Sequence, residues 1–277
     1  MKKVSLFTIL ICFVISSCSN SKAEEQENKA SPPKVVKSTS KKSTTPLAKQ
    51  DTLTYLPPKE YLAKVITEGA FHEDEVWQGA EKEAWYGLFQ GKNNYYIKQT
   101  KIITSRVIDP VMDGDDGTRT GWEVKTTNKD TSLILISGLN YLTEKQVESI
   151  KFPKEEILPG EKLEFTYKGN SYKLYATGNK QKEAPNSDWY IVSDYKLFFS
   201  SVKNGIETKQ LLVQHGNFDD EMINIIFAGD IDGDNLLDLI IDKSNHYNAI
   251  NPTLYLSKPS EKDKLVKEVG EHVSVGC

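Results

Sequence analysis

Four aspartates around one glycine have the spacing of a calcium-binding loop. Residues 230 to 241 read Asp-Ile-Asp-Gly-Asp-Asn-Leu-Leu-Asp-Leu-Ile-Ile, so carboxylates stand at loop positions one, three, five and nine. Ca²⁺ binds six to eight oxygens at roughly 2.3–2.6 Å, and alternate side chains of a short loop supply most of them together with one backbone carbonyl. The sequence therefore predicts a Ca²⁺ site in loop 230–238, with these ligands: Asp230, Asp232, Asp234, the carbonyl of Leu236 and Asp238.

This metal interpretation competes with a simpler one. Asp-Gly-Asp-Asn is also favourable turn chemistry, and a hairpin tip with exposed acids needs no ligand. Two features favour a cation. Without a counter-ion the four charges would repel each other by about 1 kcal/mol per close pair, and Asp238 stands where the coordination shell closes, directly before an apolar strand. We expect the ion to be structural rather than catalytic.

Two further polar segments could face a ligand. Asp109 to Gly117 is acidic, but its spacing lacks a ninth-position ligand, which favours an acidic loop over a low-affinity cation site. Asp242 and His246 flank Ser244 directly after the predicted metal strand, where they could face a ligand or form a hydrolytic set. A triad needs groups that converge from separate elements, so a loop that caps backbone amides is favoured, and no catalytic residue is assigned.

The N-terminal residues predict where in the cell the protein is located. Lys2 and Lys3 precede an apolar run that is shorter than the roughly 20 residues needed to span a bilayer, which indicates a signal peptide over residues 1–17. The following Ile15-Ser16-Ser17-Cys18 resembles the lipobox of bacterial lipoproteins. That resemblance implies cleavage before Cys18, lipid modification of Cys18, and attachment to a membrane of the cell envelope.

Residues 18–50 predict a disordered tether, because they are rich in Ser, Lys, Pro and Thr and have few large apolar side chains. Within them, Lys22-Ala23-Glu24-Glu25 resembles the acidic signal that sends Bacteroidota lipoproteins to the cell surface. An outer-membrane location is expected, with surface-facing and periplasm-facing anchors both open. The remaining residues, 51–277, form one large domain or two small ones.

The net charge of residues 51–277 limits the kind of partner that this domain can bind. The whole chain has a formal net charge of −4, and the signal and tether are basic, so residues 51–277 have about −10. Nucleic acid is therefore not an expected partner, because phosphate binding requires clustered Lys and Arg. Once Cys12 and Cys18 are assigned to the N-terminal segments, only Cys277 remains, so no disulfide within the domain is expected.

The fold class follows from hydrophobic periodicity. A period of two, with β-branched and aromatic residues, predicts strands over these segments: Tyr95–Ile103, Ser132–Ile136, Lys162–Tyr167, Ser171–Tyr175, Trp189–Val192, Tyr195–Phe199, Gln210–Val213 and Ile223–Phe227. Lys168-Gly169-Asn170 and Asn204-Gly205 predict hairpin turns. Short helices are expected from Thr143 to Ile150, after a capping-box pattern, and from Lys59 to Ile66. The prediction is a mainly β, antiparallel, sandwich- or barrel-like fold with few short helices.

Residues 227–241 resemble the calcium-binding hairpin of FG-GAP repeats, which form the blades of integrin-type propellers. In that family a strand, a metal loop and a second strand follow one another, and loop oxygens hold Ca²⁺; by motif position the resemblance implicates Asp230, Asp232, Asp234 and Asp238. Asn235 stands where such loops usually carry glycine with positive φ, a conformation that asparagine tolerates next best. The motif occurs once in this sequence.

These observations predict a lipid-anchored envelope protein that binds Ca²⁺ structurally and acts as a binding or scaffolding module for a protein or glycan partner. A carbohydrate-binding or glycan-processing accessory protein is the first alternative. It depends on the cluster Trp77, Trp85, Tyr86, Phe89, Tyr95 and Tyr96, if these side chains form a solvent-facing row rather than core. A metal-dependent hydrolase is the second alternative.

Overall fold

Antiparallel β-sheets account for nearly all regular structure in the computed structural model, which describes residues 60–276. The predicted signal peptide, Cys18 and the predicted tether lie outside the described residues. Within the described part, the only helix is a three-residue 3₁₀ turn, Ala80–Lys82. The mainly β prediction is therefore confirmed.

The strands of the described residues, in chain order, are β1 (Lys64–Ile66), β2 (Gly69–Phe71), β3 (Trp85–Gln90), β4 (Tyr95–Thr100), β5 (Ile102–Val107), β6 (Gly121–Thr126), β7 (Thr131–Ser137), β8 (Lys145–Val147), β9 (Lys162–Tyr167), β10 (Asn170–Lys182), β11 (Tyr190–Lys203), β12 (Ile206–Asn217), β13 (Asn224–Gly229), β14 (Asp238–Asp242), β15 (Ala249–Ile250), β16 (Pro252–Leu256), β17 (Lys267–Glu271) and β18 (Ser274–Val275). They pair into a five-stranded sheet, β1-β7-β3-β4-β8, two four-stranded sheets, β12-β11-β10-β9 and β13-β14-β16-β17, a three-stranded sheet, β2-β6-β5, and the pair β15-β18.

Three hydrophobic cores stack these sheets face to face. The first core joins the β9–β12 sheet to one face of the β13-β14-β16-β17 sheet, which contributes Leu239 and Ile241. The second core joins the opposite face, through Ile240, to the five-stranded sheet. The third core joins the other face of the five-stranded sheet to the β2-β6-β5 sheet. Successive side chains of a strand point to opposite faces, so residues 239–241 in the interior of β14 are all apolar because both faces of the strand are buried.

Both predicted hairpin turns are confirmed. Lys168 and Gly169 have φ values of 44° and 81° between β9 and β10, and Asn204 and Gly205 have 52° and 75° between β11 and β12. Positive φ at both central residues is the geometry of a type I′ turn, whose twist matches that of the flanking strands. The two predicted segments 189–192 and 195–199 belong to one long strand, β11.

Both predicted helices are wrong. The segment from Thr143 to Ile150 contains β8, which pairs along the edge of the five-stranded sheet with β4, and the segment 59–66 contains β1, which pairs with β7. Pairing with an existing sheet edge and burial of Val147 outweigh a weak local capping pattern.

The aromatic cluster is part of the hydrophobic interior. Trp85 and Phe89 are fully buried. Trp77 and Tyr96 pack against the third core, and Tyr86 and Tyr95 pack against the second. The solvent-facing row on which the glycan alternative depends is therefore not formed by these residues.

Gly229, the last residue of β13, offers a direct test of this packing. A Cβ atom at this position would lie 2.5 Å from the carbonyl oxygen of Glu148 and 2.9 Å from the ring of Phe227. We expect Gly229→Ala to lower the free energy of unfolding by about 1–3 kcal/mol, because overpacking forces a shift of the backbone. Chemical denaturation measures the change. Gly216→Ala is the matched control, since a Cβ there meets nothing within 4 Å; equal effects of the two variants would contradict the packing described.

Candidate metal centre

The predicted metal loop connects β13 to β14, and the pair Gly229 and Asp238 closes the ladder below it. Within the loop, Gly233 and Asn235 have φ values of 84° and 68°. The prediction that Asn235 occupies a left-handed position is thus confirmed. Two left-handed residues turn the chain tightly enough to bring its acidic side chains inward.

Three of the predicted ligands converge. Asp230, Asp232 and Asp238 are buried, and one carboxylate oxygen of each lies within 4.8 Å of the others. Two oxygens bound to a common Ca²⁺ at 2.3–2.6 Å are separated by about 5 Å at most. The cluster could therefore hold a metal ion, and the predicted site is confirmed to this extent.

Asp238 is the most deeply buried member, and its carboxylate accepts four hydrogen bonds. Oδ2 accepts from the backbone amides of Ile231 (2.6 Å) and Asp232 (3.0 Å). Oδ1 accepts from the amide (2.7 Å) and the hydroxyl (2.9 Å) of Ser257. Burial, and then the charge of Asp232, raise the pKa of Asp238 well above its ordinary value, although these four donors favour the ionised form. A nearby cation would shift the balance to the carboxylate.

Asp230 has ammonium partners from two other sheets. Oδ1 accepts from the Gly233 amide (2.6 Å) and lies 3.3 Å from Lys145 Nζ, while Oδ2 accepts from Lys168 Nζ and the Asn235 amide, both at 3.2 Å. Burial raises the pKa of Asp230, but the charge of Lys145, the hydrogen bond from Gly233 and the contact with Lys168 outweigh it, so the pKa lies below its ordinary value. Asp230 is therefore ionised and already has a partial counter-charge.

Among residues 60–276, Asp232 forms no ion pair with a lysine, although the charge of Lys258 lowers its pKa in part. Its Oδ2 accepts from the Lys258 amide at 2.9 Å. Its Oδ1 is buried and has no hydrogen-bond partner among the described residues. A buried carboxylate oxygen without a donor is costly, so this atom has free coordination capacity beside the two other buried carboxylates.

Asp234 and Leu236 are placed differently from the three buried ligands. Both carboxylate oxygens of Asp234 lie within 3.0 Å of Ser257 Oγ, and Oδ1 also accepts from the Leu236 amide at 2.8 Å. Asp234 is not part of the grouped carboxylates. The predicted roles of Asp234 and of the Leu236 carbonyl in metal binding stay predictions.

Sequence reasoning missed four residues that hold this loop: Lys145, Lys168, Ser257 and Tyr167, whose hydroxyl accepts from the Asp230 amide at 3.2 Å. Lys145 lies on β8, Lys168 in the turn after β9, Ser257 directly after β16 and Tyr167 at the end of β9. None carries a local signal, because a lysine or serine next to a strand is ordinary. Only the sheet topology brings them to the loop.

Asp242 and His246 bind mainly backbone atoms of the turn after β14. Asp242 Oδ1 accepts the amides of Ser244 (2.9 Å) and Asn251 (2.8 Å). Ser244 Oγ donates to the carbonyl of His246 at 3.0 Å, and His246 Nε2 lies 3.1 Å from a carboxylate oxygen of Asp219. These contacts are those of a capped loop. A ligand-facing role for Asp242 and His246 stays a prediction.

The second acidic stretch is organised by its own carboxylates. Asp109 is buried, accepts the amides of Val111 (2.9 Å) and Met112 (3.1 Å), and lies 2.5 Å from His72 Nδ1. Asp113 Oδ2 accepts the Asp109 amide at 2.8 Å. Hydrogen bonds of this kind stabilise a turn, and they account for the aspartates as parts of a loop.

The lysines at Asp230 generate the first prediction of this site. An ion bound to Asp230 would share its carboxylate with Lys168, so Lys168→Gln should raise the affinity for Ca²⁺ by about 3- to 10-fold, on the order of 1 kcal/mol for one nearby charge. Isothermal titration calorimetry of metal-stripped protein measures the affinity. Lys162→Gln is the control, because Lys162 pairs with the exposed Glu164. Unchanged or weaker binding by Lys168→Gln would show that the lysine and the ion do not compete.

Asp232 generates a pH prediction. Burial, with the charges of Asp234 and Asp230 adding to it, raises the pKa of Asp232 to about 6. A carboxyl whose pKa is raised by folding stabilises the metal-free fold below its unfolded value of about 4, and this contribution is lost as the pH rises through about 6. Calcium requires the ionised form, so its effect grows over the same interval.

We therefore expect the rise in melting temperature that calcium gives to metal-stripped protein to be larger at about pH 7.5 than at about pH 5. Differential scanning calorimetry at matched ionic strength measures this rise. A rise of the same size at both pH values would mean that the ligands do not include a carboxyl that titrates in this range.

Comparison of the chain with protein-family models, with curated protein sequences and with solved structures gave no match. In residues 60–276 no helix is long and apolar enough to cross a membrane. Among the described residues, the three carboxylates that meet between β13 and β14 are the feature that bears most directly on function.

Proposed function

We propose that this chain is a lipid-anchored binding or scaffolding module of the cell envelope whose β-rich domain is stabilised by a Ca²⁺ ion in loop 230–238. The observation that carries the calcium proposal is the free, buried Oδ1 of Asp232 beside the buried carboxylates of Asp230 and Asp238. A polar atom at such depth needs a partner, and a cation between the three side chains supplies one.

The donor set favours a hard cation. The grouped side chains are all carboxylates, and carboxylate oxygens suit Ca²⁺ and Mg²⁺ rather than the softer transition metals. Ca²⁺ tolerates irregular geometry and several protein ligands, whereas Mg²⁺ usually keeps most of its waters. The order of strand, acidic loop and strand from β13 to β14 is also the order in the FG-GAP hairpin that residues 227–241 resemble, which supports Ca²⁺.

A structural role suits the surroundings of the cluster. The oxygens of Asp238 are held by four donors, and those of Asp230 by two amides and two lysines. The loop thereby joins its own sheet to Lys145 of the five-stranded sheet and Lys168 of the β9–β12 sheet. An ion at this junction would stabilise the arrangement of three sheets, as expected of a structural rather than a catalytic ion.

The lipid anchor in this proposal is inferred from the amino-acid sequence alone. Lipidation of Cys18 and the outer-membrane address are predicted from residues 1–50, which precede the described part. A protein partner is favoured over a glycan, because the aromatic residues that suggested sugar binding are buried in the hydrophobic cores or packed against them.

The calcium proposal is tested by a double variant, Asp232→Ala with Asp234→Ala. We expect it to lower the melting temperature clearly more in millimolar calcium than in chelator, where only the hydrogen bonds of the two side chains are lost, since a metal that binds only the folded state stabilises it by mass action. At calcium about 100 times the dissociation constant the lost stabilisation is about 2.7 kcal/mol. Differential scanning calorimetry with and without chelator measures both states.

The matched control is Asp115→Ala with Asp116→Ala, which removes two acids from the exposed loop 109–117 and leaves the proposed ligands intact. It should respond to calcium as the unmodified chain does. Equal destabilisation of Asp232→Ala with Asp234→Ala in calcium and in chelator would falsify the structural-ion proposal, as would the absence of heat when calcium is titrated into metal-stripped protein.

A further inference from the structure

A cavity of about 370 Å³ opens beside the outer end of the β10–β11 hairpin. The turn that closes this hairpin is fixed by a hydrogen bond of 3.2 Å from the Glu183 amide to the Trp189 carbonyl. The opposite wall comes from the segment between β12 and β13, which contributes Phe218 and Asp220. The volume is in the range of small-molecule sites, roughly 300–1,000 Å³, and the cavity is separate from the metal loop.

Part of the cavity lining is aromatic. Phe218 packs edge-on against the buried Tyr195, with ring centroids 5.3 Å apart, and this contact fixes its position. Tyr190 also packs against the first core, whereas Trp189 is 71% exposed. A tryptophan is highly buried on average, so an indole left in solvent at the mouth of an aromatic cavity is an available contact surface.

Another part of the lining is acidic. Glu183, Asp220 and Glu221 line the cavity, and its lining contains no lysine or arginine. Glu183 accepts the Ser187 hydroxyl at 3.4 Å and Glu221 accepts the Met222 amide at 2.9 Å. In the part of the chain that the structure describes, none of the three carboxylates has an ion pair.

Lys180 of the hairpin contacts one of the lining rings without being part of the lining. Lys180 Nζ lies 5.4 Å from the centroid of the Tyr190 ring and 3.9 Å from a carboxylate oxygen of Glu161. Its charge is thus shared with an acid outside the cavity lining. The arrangement also shows that the Tyr190 ring accommodates a cation against its surface.

Aromatic rings and carboxylates together select one class of ligand. Aromatic faces attract cations through their quadrupole and also bury apolar surface, while carboxylates supply opposite charge. An inorganic cation would leave the aromatic part of the lining unused, and a neutral apolar molecule would leave three carboxylates unneutralised. We propose that this cavity binds a small organic cation, an alkylammonium group such as a quaternary amine, through Trp189, Phe218 and the three carboxylates.

The experiment compares a cation with its neutral isostere. Choline chloride and 3,3-dimethylbutan-1-ol are titrated into the full chain at low ionic strength, and binding is followed by the indole resonances in two-dimensional NMR. We expect choline to bind with an affinity in the millimolar range or tighter and at least about tenfold tighter than the alcohol. The indole resonance that shifts should be absent from the Trp189→Phe variant.

Variants locate the site. Asp220→Asn combined with Glu221→Gln should weaken choline binding by about tenfold or more, whereas Glu207→Gln, on the outer surface of β12, should leave it unchanged. The melting temperature of each variant verifies folding. Equal affinity for choline and the alcohol, no saturable binding of choline, or unchanged binding by the double variant would each overturn the proposal.

The titration is run in calcium and repeated after chelation, because the cavity shares no ligand with loop 230–238. Choline binding both in calcium and after chelation supports the cavity proposal, even if the calcium proposal proves wrong. Failure of choline to bind in calcium, with normal calcium binding by the same sample, overturns the cavity proposal alone.

Discussion

Burial of negative charge is the constraint on which the centre of this structure depends. Asp230, Asp232 and Asp238 are brought together by a loop between two core strands, and a buried carboxylate is tolerated only where donors or opposite charge replace the lost water. Backbone amides and Ser257 provide the donors, and Lys145 and Lys168 provide part of the charge. Among the described residues, only Asp232 Oδ1 of these carboxylate oxygens is buried without a hydrogen-bond donor, so part of the buried negative charge is not compensated by the protein.

The stacking of sheets explains why the polar cluster lies where it does. The strand β14 is buried on both faces, so its side chains at positions 239–241 are apolar and belong alternately to two cores. Polar groups can enter only at the ends of such a strand, where the chain turns. The loop before β14 is one of these ends, and Lys145 at the start of β8 and Lys168 in the turn after β9 reach it from the neighbouring sheets.

Local chemistry was predictable from the sequence. The spacing of the aspartates predicted the grouping of three of them, Asn235 predicted a left-handed residue, and the Asn-Gly and Lys-Gly turns predicted two hairpins, because each depends on a few consecutive residues. What depends on chain topology was not predictable. Lys145 and Asp230 are 85 residues apart in sequence, and the segment after Thr143 became an edge strand because a sheet edge was available to it. For the aromatic residues from Trp77 onward, the sequence allowed a solvent-facing row but favoured the core, because aromatic side chains bury large areas and favour strands. The structure packs them in or against two cores.

The two lysines have a consequence for the order of assembly. Contacts that span 62 and 85 residues are expected to form after the local hairpins, because closing a long loop costs entropy before the contact is gained. The two ammonium groups supply positive charge beside Asp230, so the sheets can pack together without a divalent ion. If the cluster binds an ion as proposed, its uptake would be a late and reversible step, and the chain could reach its fold whatever the concentration of that ion.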